Sequence, residues 1–339
     1  MPQTIAPAAP HLIFVDDSLL GITRRRAGKG WRYLDAQGKP ITDRAEKTRL
    51  SAIALPPAYR QAWFCPAENG HILATGVDDK GRKQYRYHPG FRAAREAEKF
   101  GGCTQFGRML PLVRARVESD LAAPQVTLER AVASIVRLLD TGGIRIGNEA
   151  YVKANKSFGA TTLRMRHADL KGHTLKLRFT AKSGKLCEMK ISDRALTRFV
   201  KKMQDLPGQN LFQYLDDNGE ARPVTSSDVN AYLRETLGGD FTAKNFRTWH
   251  ASVLAFELLA EAHEPLTLKA VLENVSARLS NTPAIARKSY IHPQVLALVE
   301  RQEEWRRELI LPRKSRWLSR AERGLIAFLK QNAAVRAAA

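Results

Sequence analysis

Acidic residues are in deficit in this chain. Asp and Glu number 34 against 55 Lys and Arg in 339 residues, a formal net charge of +21. A field of that sign attracts polyanions, with nucleic acid the first candidate partner and an anionic membrane surface the second. Cysteine is also scarce. Cys65, Cys103 and Cys187 are odd in number and widely separated, with no CxxC and no Cys/His pairing. That argues against both a disulfide framework and a zinc site, and leaves three buried free thiols as the expectation. No stretch approaches the roughly 20 apolar residues of a membrane span. The segment MPQTIAPAAPHLIFV has no basic start, and its apolar run is broken by Asp16 and Asp17, so no secretory signal is expected. The chain therefore reads as soluble, cytoplasmic and, given its charge, nucleoid-associated. Missing too are a GxxxxGK[ST] phosphate loop, an HExxH pair and an EF-hand loop, which removes most support for ATP-driven and zinc-hydrolytic chemistry. Asp78-Asp79 reads as a solvated turn and not as a metal pair. The chain does not lack apolar residues: 44% hydrophobic content suffices for packed cores, and the length suggests about two domains.

Turn signals crowd the first part. Gly28 to Gly30, Gln37-Gly38, Pro56-Pro57, Asn69-Gly70 and Lys80-Gly81 separate short extended runs between His11 and Tyr87, with a helix expected near Arg44 to Ala54. After His88-Pro89-Gly90 the helical period takes over, at Phe91 to Phe100, Phe106 to Ala122 and Leu128 to Leu139, the last stopped by Gly142-Gly143. The expected fold class is therefore α+β, with a β-rich N-terminal domain over 1–90 and a mainly helical domain over 91–339. One extended stretch interrupts the helices. Leu163 and Met165, then Leu175, Leu177 and Phe179, alternate with polar residues, and Leu186, Glu188 and Lys190 follow the turn Lys182-Ser183-Gly184-Lys185, which predicts a β-hairpin with a lysine at its tip. Helices are expected again from near Asp193, Ser227, Thr242 and Leu266. Thr282-Pro283 reads as an N-cap and first residue of a helix carrying Tyr290, and Arg313 to Ala339 as a basic, then alanine-rich helix.

Several polar residues stand in unusual settings along the helical part. Arg145 lies in Gly-Ile-Arg-Ile-Gly directly after a helix stop, Lys182 on the hairpin tip, and Lys244 and Arg247 three apart at the start of a helix; Asn281 and, nine residues on, Tyr290 follow. Singly, each has a plain structural explanation. Together, the stretches Leu-Asp-Thr-Gly-Gly-Ile-Arg-Ile-Gly-Asn (139–148), Phe-Thr-Ala-Lys-Ser-Gly-Lys (179–185), Lys-Asn-Phe-Arg-Thr-Trp (244–249) and Ser-Asn-Thr-Pro-Ala-Ile-Ala-Arg-Lys-Ser-Tyr-Ile-His-Pro (280–293) resemble the poxvirus-like type IB DNA topoisomerases in their bacterial branch. Gly-Ile-Thr-Arg-Arg-Arg (21–26), Leu-Pro-Pro-Ala-Tyr (55–59) and Ala-Thr-Gly-Val-Asp-Asp-Lys-Gly-Arg-Lys-Gln-Tyr-Arg-Tyr-His (74–88) are similar to that family's DNA-clamping domain, so the resemblance spans nearly the whole chain.

The resemblance implies a monomer that binds double-stranded DNA, uses no cofactor and no metal, and has a catalytic domain of the topoisomerase IB and tyrosine recombinase type. Tyr290 would be the nucleophile, forming a 3′-phosphotyrosyl link. Arg145 and Arg247 would bind the phosphate oxygens, for which permanently charged, bidentate guanidinium groups are suited. Lys182 would be the general acid for the departing 5′-oxygen, with Lys244 a supporting proton donor and Lys185 the alternative acid on the same turn. Asn281 stands where pox and eukaryotic members carry histidine; an amide still donates a hydrogen bond to a phosphate oxygen but adds no charge. His250, three residues past Arg247, is expected to pack.

In the N-terminal part Arg82, Lys83, Gln84, Tyr85 and Tyr87 would touch DNA, the cations at phosphates and the amide and rings at bases or backbone. Arg24, Arg25 and Arg26 with Gly28-Lys29-Gly30 would add a phosphate contact. Two other readings stay open on sequence alone. A tyrosine recombinase shares the Arg, Lys, Arg, Tyr order but typically has His where this chain has Lys244; a non-catalytic basic DNA-binding protein fits the composition without using the constellation.

Overall fold

The computed structural model describes residues 11–338 apart from Lys29 and Lys80. The first ten residues, whose composition argued against a secretory signal, and Lys29 of the expected phosphate-contacting loop thus lie outside the described residues. The chain divides into two compact units, Met1–Lys99 and Phe100–Ala339.

The first unit is built on an antiparallel sheet. Its strands are β1 (Ile22–Ala27), β2 (Gly30–Leu34), β3 (Arg60–Phe64), β4 (Ile72–Val77) and β5 (Lys83–Tyr87), in the order β2-β1-β3-β4-β5, with helix α1 (Arg44–Ala52) between β2 and β3. Asp43 starts α1 by accepting a hydrogen bond from the Glu46 N–H. Ile22, Tyr33, Leu50, Leu55, Phe64 and Ala74 form this unit's core.

Helix α2 (Pro89–Ala122) follows, and the division between the units falls inside it. Two helices were expected here, separated near Gly101-Gly102; the structure has one. A glycine costs a helix only about 1 kcal/mol. Against that, Cys103, Phe106, Leu110, Val113 and Val117, spaced by alternating steps of three and four, are all buried, and each buried side chain of this kind contributes about 1.5–3 kcal/mol.

The second unit continues with α3 (Leu128–Gly142) and α4 (Glu149–Asn155), then the three-stranded antiparallel sheet of β6 (Ala168–Lys171), β7 (Thr174–Thr180) and β8 (Leu186–Ser192). The hairpin expected around Lys182 is β7 and β8, in a register that pairs Phe179 with Cys187 and Arg178 with Glu188. Leu163 and Met165, read from their alternation as strand, instead flank and enter short 3-10 turns, and the third strand, β6, begins after them. Helix α5 (Arg194–Met203), the small hairpin β9 (Gln213–Leu215) and β10 (Ala221–Pro223), and α6 (Ser226–Leu237) precede the long α7 (Ala243–Glu261). After it come α8 (Leu268–Arg278), α9 (Pro283–Ser289), α10 (Pro293–Ala297), α11 (Gln302–Glu308) and the C-terminal α12 (Arg320–Ala338). Asp193 and Thr282 cap their helices as expected, each accepting an N–H from the first turn; for the helices expected from near Ser227 and Leu266 the caps are Thr225 and Thr267, and Thr242 stands at the start of α7 without a side-chain cap bond of that kind.

Helix α7 is the axis of this unit. Phe246, Trp249, Phe256 and Leu259 of α7 are fully buried among Leu110, Ile135, Leu138, Phe199 and Leu325. Trp249 lies directly on α2: a Cβ added at Gly107 would stand 2.2 Å from its ring. Among the described residues no helix is long and apolar enough to cross a membrane, and all three cysteines are free and buried.

The contact between Gly107 and Trp249 sets a test of the packing. Gly107→Ala gains about 1 kcal/mol of helix propensity but forces a methyl group into a fully buried indole, and overpacking of this kind costs about 1–3 kcal/mol. At so short an approach the upper part of that range applies. The urea midpoint is therefore expected to fall, and a midpoint equal to or above wild type would contradict this packing.

Candidate active site

Arg145, Arg247, Asn281 and Tyr290 meet in the second unit because three chain reversals converge on one guanidinium. Arg247 sits in the second turn of α7 and is 3% exposed. Its Nη1 donates to the carbonyl of Gly143 and its Nη2 to the carbonyl of Leu279, the latter at 2.9 Å. Gly143 lies two residues before Arg145 and Leu279 two residues before Asn281. One side chain thus ties together the two loops that carry the neighbouring polar groups.

Each loop has its own reason to turn there. Gly143 ends α3 in the left-handed region (φ 60°), and a Cβ on it would also stand 2.8 Å from Leu279, so glycine is required on both counts. The following segment is pinned through its main chain: Ala160 N donates to Arg145 O (2.8 Å) and Thr161 N to Ile146 O (2.7 Å). The Arg145 side chain then reaches Asn281, its Nη2 donating to Oδ1 at 2.5 Å. Asn281, 6% exposed, also receives Lys185 Nζ on its backbone carbonyl at 2.6 Å.

Tyr290 was expected inside the helix that starts at Pro283. It is the residue that ends it, with φ −135° and ψ −39°, held by Tyr290 N and Ile291 N both donating to Ala286 O. Its ring centroid is 4.8 Å from the Arg247 guanidinium carbon, a cation–π contact. Ser252, fully buried one turn beyond Thr248 on α7, fixes the stretch of chain behind the ring. Its hydroxyl, which donates to Thr248 O, accepts His292 N at 2.9 Å and lies 3.3 Å from Tyr290 O. A lone serine on an apolar helix face gives little sequence signal, and Ser252 was not anticipated.

Among the described residues, two buried donors at this centre, Arg247 Nε and Asn281 Nδ2, make no hydrogen bond. Arg24 Nε and Arg130 Nε are likewise without a bond elsewhere in the protein, but at this centre both free donors stand beside the Arg145–Asn281 pair and can donate to an acceptor brought to it. A narrow cleft beside them is lined by Gly143, Arg145, Ala181, Cys187, Arg247 and Ser280. Arg278 also lines it, donating to Thr141 O at 3.2 Å. The electrostatics fit an anion. Burial alone would push the Tyr290 phenol up, but the charge of Arg247, then those of Arg145 and Lys244, outweigh it and hold the group below the ordinary tyrosine value. For Arg247 burial, and next the charge of Arg145, lower its proton affinity. A phosphate would relieve both.

The remaining expected residues are placed less tightly. Lys244 is exposed at the start of α7. Lys182 is exposed on the hairpin turn, next to Ser183 at φ 66°, and it makes no hydrogen bond or ion pair among the described residues. It is Lys185, the alternative on that turn, that reaches Asn281. His250 places its Nε2 3.7 Å from Asp140 Oδ1 and stacks its ring with Phe246.

In the first unit, Tyr85 and Tyr87 share one face of β5, their rings stacked at 5.8 Å and 42% and 38% exposed. Acidic residues arrange their neighbours. Asp78 pairs with Arg82 at 2.7 Å and accepts Gln84 Nε2 at 2.9 Å, and Asp17 pairs with Lys83 at 2.6 Å. Asp78 is therefore a scaffold for the strand's polar side chains and not simply a solvated turn residue. Arg25 and Arg26 are exposed, but Arg24 turns inward, donating to Leu55 O (2.8 Å) and Pro56 O (2.5 Å) with its guanidinium 4.0 Å over Trp31. Its role in this structure is to hold the Leu-Pro-Pro loop.

Residues 88–309 match the family described as eukaryotic DNA topoisomerase I, catalytic core, and residues 30–78 match that described as bacterial DNA topoisomerase IB, N-terminal domain. The chain belongs to the type IB DNA topoisomerases. Its similarity to DNA topoisomerase 1B of Acanthamoeba polyphaga mimivirus is 29% identity over 299 residues, 84% of this chain and 89% of that one. With DNA topoisomerase I of monkeypox virus it is 22% over 250 residues, 71% and 76% of the two chains. Among solved structures, XerH site-specific recombinase bound to palindromic difH substrate overlaps 57% of this chain and 51% of its own, at 15% identity and a TM-score of 0.38.

The field at Tyr290 gives this topoisomerase a measurable property. Difference ultraviolet titration of wild type against Tyr290→Phe is expected to show one tyrosine ionising below the ordinary value. Lys244→Ala or Arg145→Ala removes a positive charge and should raise that pKa; a value unmoved by either change would contradict the arrangement.

Proposed function

We propose that the protein relaxes supercoiled duplex DNA as a monomer in the nucleoid, by nicking one strand through Tyr290, letting the free end rotate and resealing the nick. The observation that carries the reading is the Tyr290 ring on a buried arginine, beside the Arg145–Asn281 pair and two unpartnered donors. Tyr290 Oη, its proton lost to solvent, attacks the phosphorus; the bond from Oη to phosphorus forms as the bond from phosphorus to the 5′-oxygen breaks. Arg145, Arg247 and the Asn281 amide bind the non-bridging oxygens as charge builds there. Loss of one such preorganised donor costs about a hundredfold in rate. Lys182 gives the departing 5′-oxygen its proton, and Lys244 supports that transfer. Bond energy is kept in the tyrosyl ester, so religation needs neither nucleotide nor metal. The N-terminal domain, read as residues 1–90, grips the duplex through Arg82, Lys83, Gln84, Tyr85 and Tyr87, with Arg25 and Arg26 at phosphates. Whether the division is placed at residue 90 or 99, all six reacting side chains fall in the C-terminal part.

Plasmid relaxation in EDTA without ATP tests the reading: wild type is expected to relax the plasmid and Tyr290→Phe to leave it supercoiled. An inactive wild type or an active Tyr290→Phe would overturn it. The general acid is assigned by replacing the bridging 5′-oxygen with sulfur, a leaving group that needs no proton. Lys182→Ala should be slow on ordinary DNA and restored on the sulfur substrate. If Lys185→Ala is the variant restored, the acid is Lys185.

A further inference from the structure

Behind the site, on the side of α7 away from Tyr290, lies a buried cluster of charges that the proposed reaction does not use. Arg114 of α2 makes two bidentate pairs. Its Nε and Nη2 donate to Asp140 at 2.7 and 2.9 Å, and its Nη1 and Nη2 to Glu322 at 2.9 and 2.7 Å, while Nη1 also donates to the Trp317 carbonyl. The side chains of Arg114, Asp140 and Glu322 are 16%, 9% and 8% exposed. Glu322 further accepts Trp249 Nε1 at 3.1 Å and Ser319 N at 2.8 Å. Although burial opposes it, the Arg114 charge and these donors hold the Glu322 carboxyl below its ordinary value, so it is an anion here.

The location gives the cluster a role. Asp140 is in the last turn of α3, five residues before Arg145, and Trp249 is two residues after Arg247. The path from Asp140 through Arg114 and Glu322 to Trp249 joins the end of α3 to α7, the same two elements that the bond from Arg247 to the Gly143 carbonyl joins on the reacting side. Two ties at different depths fix an angle that one tie leaves free. The second is supplied by the C-terminal helix α12, which lies beyond residue 309, where the match to the catalytic-core family ends.

We infer that Glu322 is a positioning residue for strand cleavage: anchored on α12, it holds α7 against the end of α3 so that Arg145 and Arg247 address one phosphate. The inference rests on the cleavage reaction proposed above. The charge arithmetic predicts an asymmetry. Removing Glu322 leaves Arg114 paired with Asp140, whereas removing Arg114 leaves two buried carboxylates facing each other, and an unpaired buried charge is far costlier than a lost partner. Arg114 variants are thus poor probes, and Glu322 is the residue to change.

The test is single-turnover cleavage of a suicide duplex, whose cut fragment diffuses away and traps the covalent adduct. Three quantities are read: the rate constant at saturating DNA, the final adduct yield, and the DNA dissociation constant. A displacement of about 1 Å in a catalytic group can cost on the order of a hundredfold, so Glu322→Ala is expected to lower the rate constant about tenfold or more, with the dissociation constant unchanged. Glu322→Gln keeps an acceptor for Trp249 and should recover part of the rate. A purely structural role would instead reduce the adduct yield, by unfolding a fraction of the protein, and leave the rate constant of the remainder at wild type. That result would overturn the inference. If Glu322→Ala does not fold, the Gln variant decides: a wild-type rate constant overturns, a reduced one supports. Wild type without adduct would overturn the cleavage reading itself, whereas wild type with adduct and an equally fast variant would overturn only the role of Glu322.

Discussion

A guanidinium buried away from water must be hydrogen-bonded or the fold does not tolerate it, and in this protein that requirement organises the site. Arg247 meets it with two backbone carbonyls, those of Gly143 and Leu279. Backbone acceptors cannot rotate away, so satisfying Arg247 fixes both loops and, two residues along each, Arg145 and Asn281. Tyr290 then covers the guanidinium face. Among the described residues Arg247 Nε and the Asn281 Nδ2 group make no hydrogen bond, so both remain free to donate. Preorganised donors of this kind are what stabilise charge in a phosphoryl transition state, and here their preorganisation is a by-product of burying a charge.

The excess of +21 divides into groups with different tasks. Arg247 and Arg145 are site charges, one buried and one half-buried. Arg114 is structural, neutralised by Asp140 and Glu322. Arg24 is also structural, stacked on Trp31 and spent on carbonyls. On β5 the acidic residues do not oppose the basic ones so much as aim them, Asp78 orienting Arg82 and Gln84 together. The cations of these pairs are about half exposed while the carboxylates are largely buried, so the acid is the fixed partner and the base the one that meets solvent.

Much of this was legible in the sequence. Signals that act over three or four residues carried through: Gly142-Gly143 stops α3, Thr282-Pro283 starts α9, and the alternation across Lys182 to Lys185 is the hairpin. The six candidate site residues could be named because their spacing resembles that of a family, while what brings Arg145, Arg247 and Asn281 together, two carbonyls around Arg247, leaves no side-chain trace. The misreadings have a common cause. Gly101-Gly102 lies inside a helix because burial at Phe106 and Leu110 outweighs propensity, and Arg24 turns inward because carbonyls at Leu55 and Pro56 are within its reach. Each depends on a partner distant in sequence, to which local periodicity is blind.

The claim on which everything else rests is that Tyr290 carries the cleaved strand. Denaturing the enzyme during a reaction with end-labelled duplex, digesting the trapped protein and sequencing the DNA-linked peptide by mass spectrometry measures it directly. The account predicts a 3′-phosphoryl ester on Tyr290 with a free 5′-hydroxyl on the complementary end of the break; a link through another residue, or through the 5′-phosphate, would contradict it.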